Sequence, residues 1–163
     1  MIFLTVGTLF PFDRLVQAVD SAVGKGIIKD EVFAQIGYDS SKPKNMEYAE
    51  LLDKDIFDKK VNKATHLISH AGIGIITVAL ERAKPLLVMP RMRCFGEHVH
   101  DHQVATARKF EELGHILVAY ETEELPVKIE ALKTFVPRKR EAQPHAVAER
   151  IARFLNELAN NAK

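Results

Sequence analysis

Short apolar runs that alternate with segments of helical periodicity constrain this chain more than any other feature of its sequence. The runs predict strands at residues 2–6, 32–36, 66–69, 86–89 and 116–119. The segments between and after them predict helices at residues 11–24, 53–64, 72–83, 99–113 and 123–132, and from residue 144 onward. Alternation of this kind is typical of βαβ units, so we expect an α/β fold built on a mostly parallel sheet.

The last predicted helix begins at Pro144 and carries a single apolar stripe. The spacing of its large side chains places them on one helical face, and they are Val147, Ile151, Phe154, Leu155 and Leu158. A stripe of this kind usually packs within the chain, and docking to a partner is the alternative.

Length and composition set limits on the class of protein. The chain has 163 residues and suits a single domain over 1–163. A net charge of +1 gives no electrostatic footprint for nucleic acid, and Cys94 is the only cysteine, so no internal disulfide is expected. The first seven residues form a mostly apolar stretch that is too short for a signal peptide, and no run approaches a membrane span. We therefore expect a cytoplasmic protein.

Two glycine-containing turns follow predicted strands. Gly7 and Thr8 come directly after the first strand, and ligands of open α/β sheets bind beyond the carboxyl ends of strands. The second turn is Ser69-His70-Ala71-Gly72-Ile73-Gly74, between a strand and a helix. Backbone N–H groups at a helix N-terminus suit a phosphate, and an imidazole there could contact a ligand oxygen. Tight turns and close helix–strand packing are the structural alternatives.

The most polar segment precedes the helix predicted at residues 99–113. It contains Glu97, His98, His100, Asp101, His102 and Gln103. His98 and His102 have the i,i+4 spacing that could chelate a metal, but the segment straddles a loop–helix boundary. A helix N-terminus that hydrogen-bonds a ligand explains the same residues without a metal, and a capped surface helix is the third interpretation.

Other catalytic classes lack their motifs. The sequence has no Gly-x-Ser-x-Gly nucleophile elbow and no Cys-x-x-Cys pair. Ser69 and His70 are adjacent on a strand, where successive side chains point to opposite faces, so we do not expect a Ser–His nucleophile pair.

Taken together, the motifs have a familiar order. They are Leu4-Thr5-Val6-Gly7-Thr8, Ser69-His70-Ala71-Gly72-Ile73-Gly74, Lys84-Pro85, Pro90-Arg91, Gly96-Glu97-His98 and Asp101-His102-Gln103. This order resembles the C-terminal domain of glycosyltransferase family 28, and more narrowly its stand-alone, PssE-like subunits. It is also similar to the soluble catalytic subunit of the dolichol-linked UDP-GlcNAc transferase and to the C-terminal half of MurG.

The resemblance implies the C-terminal half of a GT-B fold, with a Rossmann-like sheet. It places a UDP-sugar against two glycine turns and two polar segments. The implied nucleotide-sugar-binding residues are Gly7, Thr8, Ser69, His70, Ala71, Gly72, Gly74, Arg91, Glu97, His98, Asp101, His102 and Gln103. Arg91 or Arg93 could add positive charge beside the phosphates. No metal or other cofactor is expected, since helix dipoles and amides would offset the diphosphate charge.

The resemblance also implies an inverting hexosyltransferase of polysaccharide synthesis, such as exopolysaccharide synthesis, that acts only as a heteromer. The partner would be a membrane-anchored, acceptor-binding subunit that holds a lipid-linked glycan, so this chain would be peripheral to the membrane. The general base is expected from the partner, with His70 as the alternative. Ile75 and Val78 replace a hydroxyl and a ribose-binding Glu found in the family. They leave open a non-catalytic regulatory or stabilising module.

Overall fold

The computed structural model describes residues 1–139 and 144–161. Its strands are β1 Ile2–Thr5, β2 Val32–Gln35, β3 Glu47–Ala49, β4 His66–His70, β5 Leu86–Met89 and β6 Leu117–Val118. Its α-helices are α1 Asp13–Gly24, α2 Lys54–Lys63, α3 Ile73–Glu81, α4 His102–Glu112, α5 Leu125–Leu132 and α6 Pro144–Asn161. Short 3-10 turns lie at Arg93–Phe95 and Thr122–Glu124.

The six strands form one sheet in the order β3-β2-β1-β4-β5-β6. Every pairing between them is parallel, and the register sets Thr5 beside Gln35 on one side and beside Ser69 on the other. The chain moves outward from β1 to β3, then returns to β4 and continues in the opposite direction. The order therefore reverses between β1 and β4, which is where doubly wound sheets bind ligands.

Helices cover both faces of the sheet because side chains alternate along each buried strand. Ile2, Leu4 and Val6 point into the core beneath α1 and α5, whereas Phe3 points into the opposite core beneath α2, α3 and α4. Near-continuous apolar strands are typical of a parallel sheet buried on both sides. β5 shows the pattern fully, since its four residues are all buried.

The sequence-based elements are largely confirmed. All five predicted strands and six predicted helices are present. Just beyond α4, Gly114 has the left-handed conformation that often ends a helix, with φ of +72°. Two details differ. β3 was not predicted, because its exposed edge sequence Glu47-Tyr48-Ala49 has no apolar run. Helix α4 begins at His102, three residues later than the predicted start at Val99.

Helix α6 confirms the helix predicted from Pro144, but its apolar stripe does not pack as expected. Ile151, Phe154 and Leu155 are each more than half exposed, so the preferred expectation of packing within the chain is wrong for them. The side chains of Val147 and Leu158 lie outside the described residues. Among the helices that the structure describes, none has the length and apolar character needed to cross a bilayer.

Candidate functional site

A cavity of about 610 Å³ opens at the carboxyl edge of the sheet, where β1 and β4 meet. It lies at the reversal of strand order, the position that the topology favours for a ligand. The loops after β1, β3, β4 and β5 all contribute to its lining. Of the predicted site residues, the cavity brings together Gly7, Thr8, His70, Gly74, Arg91, His98 and Gln103. Ser69, Ala71, Gly72, Glu97, Asp101 and His102 are not among the residues that line it.

The turn after β1 is held rigidly beneath this cavity. Gly7 has φ of +83°, a left-handed conformation that favours glycine. Its N–H donates to Thr5 Oγ1 at 3.3 Å, and its carbonyl accepts from Gln35 Nε2 at 3.2 Å. Gln35 is buried at the end of β2 and also donates to Thr5 Oγ1. The turn therefore presents Thr8 to the cavity from a fixed position.

His70 ends β4 and lies between two glycines. Ser69 is fully buried, and its hydroxyl donates to the carbonyl of Thr5. The same Ser69 Oγ lies 3.2 Å from His70 Nδ1. Since the hydroxyl proton is already donated, Oγ accepts from Nδ1–H, which leaves the lone pair on Nε2. Burial, and then the positive charge of Arg91, lowers the pKa of His70 to about 4, so the ring is neutral at physiological pH.

The expectation that Ser69 and His70 point to opposite faces is wrong at this position. His70 is the last residue of its strand, where the ring turns back toward the preceding hydroxyl. The conclusion that they are not a nucleophile pair still holds, for a different reason. Ser69 is completely buried and its proton is donated to the main chain, so no substrate can reach its oxygen.

Gly72 and Gly74 serve different purposes at the start of α3. A Cβ on Gly72 would come within 2.2 Å of His70 Nε2, so Gly72 makes room for the imidazole. A Cβ on Gly74 would meet no atom within 4 Å, because this residue faces the open cavity. The first N–H groups of α3 have no intrahelical acceptor, and its first turn has no acidic side chain. This end of the helix thus offers free donors and a positive dipole end to an anion.

Arg91 lies at the base of the cavity rather than free within it. It is 3% exposed, and its Nη2 donates to the carbonyls of Val6 at 2.9 Å and Phe10 at 2.6 Å. The guanidinium also packs over the ring of Phe12, 5.1 Å from its centroid, while its Nε has no partner. Arg91 therefore fixes the loop between β1 and α1. Arg93, the other candidate for the phosphates, is exposed on the neighbouring loop.

Gln103 is oriented by the main chain of Arg91. It is buried in the first turn of α4, and its Oε1 accepts from the Arg91 N–H at 3.1 Å. A backbone N–H can only donate, so this contact fixes which amide atom is the oxygen. The amide NH₂ is left as a donor for the cavity that Gln103 lines.

Glu97 stabilises a loop instead of facing the cavity. Its carboxylate forms a two-point ion pair with Arg14, at 2.7 Å to Nε and 2.9 Å to Nη2, and accepts from the Met92 N–H at 2.9 Å. Arg14 also donates to the carbonyl of Pro90 at 3.0 Å. The pair ties the loop after β5 to the start of α1. Sequence analysis did not find this role for Arg14, since its partner is 83 residues away.

The histidine segment forms one rim of the cavity. The rings of His98 and His102 are edge-to-face at 4.5 Å, and Phe10 packs on His98 at 6.0 Å. Desolvation, then the neighbouring His102, lowers the pKa of His98. Asp101 accepts from the Arg93 N–H at 2.7 Å and makes no side-chain cap bond to α4. Within residues 1–139 and 144–161, no cluster of His, Cys, Asp or Glu has the geometry to hold a metal ion.

The opposite wall of the cavity is apolar, and sequence analysis missed most of it. Leu52 and Phe57 come from the segment after β3, and Ile75 and Val78 come from α3. Lys54 lies at the mouth of this wall. Leu52 and Phe57 follow β3, an edge strand without an apolar run, so no local pattern predicts that they lie beside β1.

Comparison with known proteins places this chain in a family. The sequence model of the glycosyltransferase family 28 C-terminal domain matches residues 1–159. The UDP-N-acetylglucosamine transferase subunit ALG13 of Homo sapiens is 30% identical over 124 residues, which are 71% of this chain and 10% of that protein. The ALG13 subunit of Eremothecium gossypii is 46% identical over 54 residues, which are 32% of this chain and 24% of that protein. The chain therefore spans a quarter or less of these relatives.

Solved structures share the fold at low sequence identity. The glycotransferase of kitacinnamycin has a TM-score of 0.60 at 20% identity, and the match covers 98% of this chain and 39% of the glycotransferase chain. MurG of Acinetobacter baumannii has a TM-score of 0.58 at 19% identity, covering 81% of this chain and 41% of its own. The NMR structure of ALG13 has a TM-score of 0.56 at 19% identity, and the match covers 92% of this chain and 93% of the ALG13 chain. The predicted Rossmann-like half of a GT-B fold is confirmed.

Proposed function

We propose that this chain, which belongs to the glycosyltransferase family 28 C-terminal domain family, is the UDP-sugar-binding subunit of a two-component inverting glycosyltransferase. The sugar is a hexose, GlcNAc or a related one, and the acceptor is a lipid-linked glycan at the cytoplasmic face of a membrane. A second, membrane-anchored subunit holds the acceptor. The word "subunit" in the name of the related ALG13 proteins supports a heteromer.

One observation carries the proposal: Gly74 and the free N–H groups of α3 face a cavity at the reversal of strand order. A diphosphate there would accept hydrogen bonds from backbone donors and lie at the positive end of a helix dipole. These donors are fixed before the ligand arrives, so they need not reorganise when charge develops on the leaving group. This is the preorganisation that departure of UDP requires.

The sugar is assigned to the polar end of the same cavity. Gln103 offers its NH₂ there, and His98 forms the rim. Both side chains reach the cavity from the loop after β5 and the start of α4. A donor amide held by the Arg91 main chain can recognise a sugar hydroxyl or a phosphate oxygen. The cavity thus takes the diphosphate centrally and the transferred sugar toward the histidine rim.

In the transfer step, an acceptor hydroxyl attacks the anomeric carbon while the bond to the UDP oxygen breaks. UDP departs with the bonding electrons, and the hydroxyl proton passes to a general base. His70 is a poor base at neutral pH, because its pKa of about 4 lies well below the operating pH. We therefore assign the base to the partner subunit and a ligand-facing role to His70 Nε2.

The partner is proposed to cover the exposed apolar side chains around the cavity mouth. Leu9, Phe10 and Val99 project from the loops that border the site, and Leu9 is 83% exposed. Large apolar groups in water next to a cavity are typical of interaction surfaces. Closure of a second protein over them would exclude water from the reacting groups.

A second candidate function is a non-catalytic module that stabilises a glycosyltransferase partner. The observation that favours it is the cavity wall itself, where Ile75 and Val78 offer neither a hydroxyl nor a carboxylate to a nucleotide. The partner assayed alone separates the two functions. Full transfer activity without this chain would support the stabilising module, whereas activity only after addition of this chain supports the donor-binding subunit.

Calorimetric titration with UDP and UDP-GlcNAc, with and without EDTA, tests the donor site. We expect binding that EDTA does not change. Gly74→Leu places a large side chain in the cavity and should abolish binding of UDP and UDP-GlcNAc. Ile73→Leu is the matched control, since Ile73 is exposed and not among the cavity-lining residues. Unchanged UDP affinity in folded Gly74→Leu protein would refute the phosphate assignment.

A further inference from the structure

Gln35 is a buried polar side chain of the cavity, and the protein uses only one half of its amide group. The residue is 2% exposed at the end of β2 and lines the cavity. Its Nε2 donates to Thr5 Oγ1 at 3.4 Å and to the carbonyl of Gly7 at 3.2 Å. A carbonyl can only accept, so the contact with Gly7 identifies the nitrogen and fixes the orientation of the amide.

The amide oxygen of Gln35 is open to the cavity. Neither hydrogen bond of this side chain uses Oε1. Within residues 1–139 and 144–161, the one side-chain nitrogen or oxygen that is both shielded from solvent and unpaired is Arg91 Nε. Gln35 Oε1 is not such an atom, so it faces the cavity that the residue lines. A fixed acceptor in this position suits a ligand group that donates a hydrogen bond.

The strand order places Gln35 on one side of the proposed diphosphate position. Gly74 follows β4, whereas His98 and Gln103 follow β5. Gln35 ends β2, and Leu52, which follows β3, lines the cavity from the same side. With the diphosphate at Gly74 and the sugar toward the histidine rim, as in the proposed function, the nucleoside extends toward β2 and Gln35.

The nucleoside is the part of the ligand on this side that can donate a hydrogen bond. The oxygens of an ionised diphosphate only accept. Uridine carries donors at its 2′-hydroxyl, its 3′-hydroxyl and N3 of the base. The cavity wall on this side includes the apolar side chains of Leu52 and Phe57. An acceptor in apolar surroundings discriminates strongly, because leaving it unpaired when a ligand displaces water is costly.

We propose that Gln35 Oε1 accepts a hydrogen bond from a donor group of the bound uridine and thereby contributes to selection of the nucleotide. The inference rests on the proposed function and adds a specificity-determining residue to it. The bonds from Nε2 to Thr5 and Gly7 hold the oxygen in place before the ligand arrives, so little ordering is needed when the ligand binds.

Calorimetric titration of the full chain with UDP and with analogues that each lack one uridine donor tests the inference. The analogues are 2′-deoxy-UDP, 3′-deoxy-UDP and 3-methyl-UDP. We expect one of them to bind at least about fivefold more weakly than UDP, because the amide oxygen is then left unpaired. UDP binding with every analogue within about twofold of UDP would overturn the inference and leave the proposed function intact. Absence of UDP binding would overturn the proposed function, and the inference with it.

Two substitutions separate a ligand contact from a structural role. Gln35→Met and Gln35→Glu both remove the NH₂ donor to the Gly7 carbonyl, but only Gln35→Glu keeps an oxygen that accepts. The loss of affinity for the discriminated analogue, relative to UDP, should shrink to within about twofold in Gln35→Met and persist in Gln35→Glu. A loss of undiminished size in folded Gln35→Met protein would assign the selectivity to another group and overturn the inference.

The side-chain amide of Gln35 also gives a measurement on the wild-type protein. A hydrogen bond accepted by Oε1 polarises the amide group, so saturation with UDP should shift the Gln35 NH₂ resonances of ¹⁵N-labelled protein. The discriminated analogue at saturation should shift them clearly less. Equal shifts with UDP and with every analogue would overturn the inference, even if neither variant folds.

Discussion

Gly72 and Gly74 lie two residues apart, yet the structure predicts opposite effects when each is replaced by alanine. A methyl group on Gly72 would lie 2.2 Å from His70 Nε2, far inside van der Waals contact. The ring must then turn into the cavity and lose its bond to Ser69 Oγ. A methyl group on Gly74 meets no atom within 4 Å and removes a flexible residue from a helix.

The magnitudes follow from these contacts. Displacing the imidazole and breaking one hydrogen bond should cost Gly72→Ala about 1–2 kcal/mol, which is roughly 2–8 °C in Tm for a domain of this size. Gly74→Ala should leave Tm unchanged or raise it slightly, since glycine disfavours helices by up to about 1 kcal/mol. Thermal unfolding followed by circular dichroism measures both variants.

A double-mutant cycle identifies the cause. In a His70→Ala background the clash is absent, so Gly72→Ala should lose most of its penalty. Equal Tm values for Gly72→Ala and wild-type protein would refute the close packing of His70 against this glycine. A penalty that persists in the His70→Ala background would place its origin elsewhere in the turn.

Three further predictions concern the groups around the site. The folded-state pKa of His70 lies below its unfolded value of about 6.5, so the unfolded chain binds more protons, and stability should fall by up to about 3 kcal/mol between about pH 6.5 and pH 4. Urea denaturation should show this pH dependence in wild-type protein and a weaker one in His70→Gln; identical curves would contradict the assignment. Glu97→Ala should cost about 2–4 kcal/mol, because it leaves Arg14 largely buried without its carboxylate, and a urea midpoint equal to wild type would show that the pair contributes nothing. Gln103→Glu keeps the acceptor for the Arg91 N–H but replaces the donor NH₂ with a negative charge, so UDP-GlcNAc affinity measured by calorimetry should fall at least about tenfold. Gln17→Glu, at an exposed position, is the control. An unchanged affinity in the Gln103 variant would remove Gln103 from the site.

The fold was largely predictable because the buried strands are continuous apolar runs and the helices carry periodic apolar faces. β3 was not predicted because its residues are not an apolar run. Tyr48 and its neighbours form an edge strand that pairs with β2 and stays largely exposed. The predicted start of α4 was too early because Val99 is apolar and was therefore assigned to the helix. In the structure Val99 is exposed and precedes the helix.

The sequence placed several glycines and polar residues around what is a cavity in the structure, but it did not predict which contacts those residues make. Glycines after strands mark where a backbone approaches a ligand, and Gly74 is placed accordingly in the cavity. The partners of Arg91 and Glu97 depend on contacts across the fold, which no local pattern encodes. Arg91 and Glu97 were predicted as ligand contacts because they lie near the predicted phosphate site. In the structure, Arg91 donates to main-chain carbonyls and Glu97 forms an ion pair with Arg14.

The central claim, that the N-terminus of α3 binds the diphosphate of a nucleotide sugar, is tested most directly by the backbone amides themselves. Titration of ¹⁵N-labelled protein with UDP-GlcNAc in EDTA should shift the amide resonances of Ile73, Gly74 and Ile75 with one common affinity. Leu113, at the far end of α4, provides the reference that should not move. Saturable binding that leaves the three α3 amides unchanged would contradict the account.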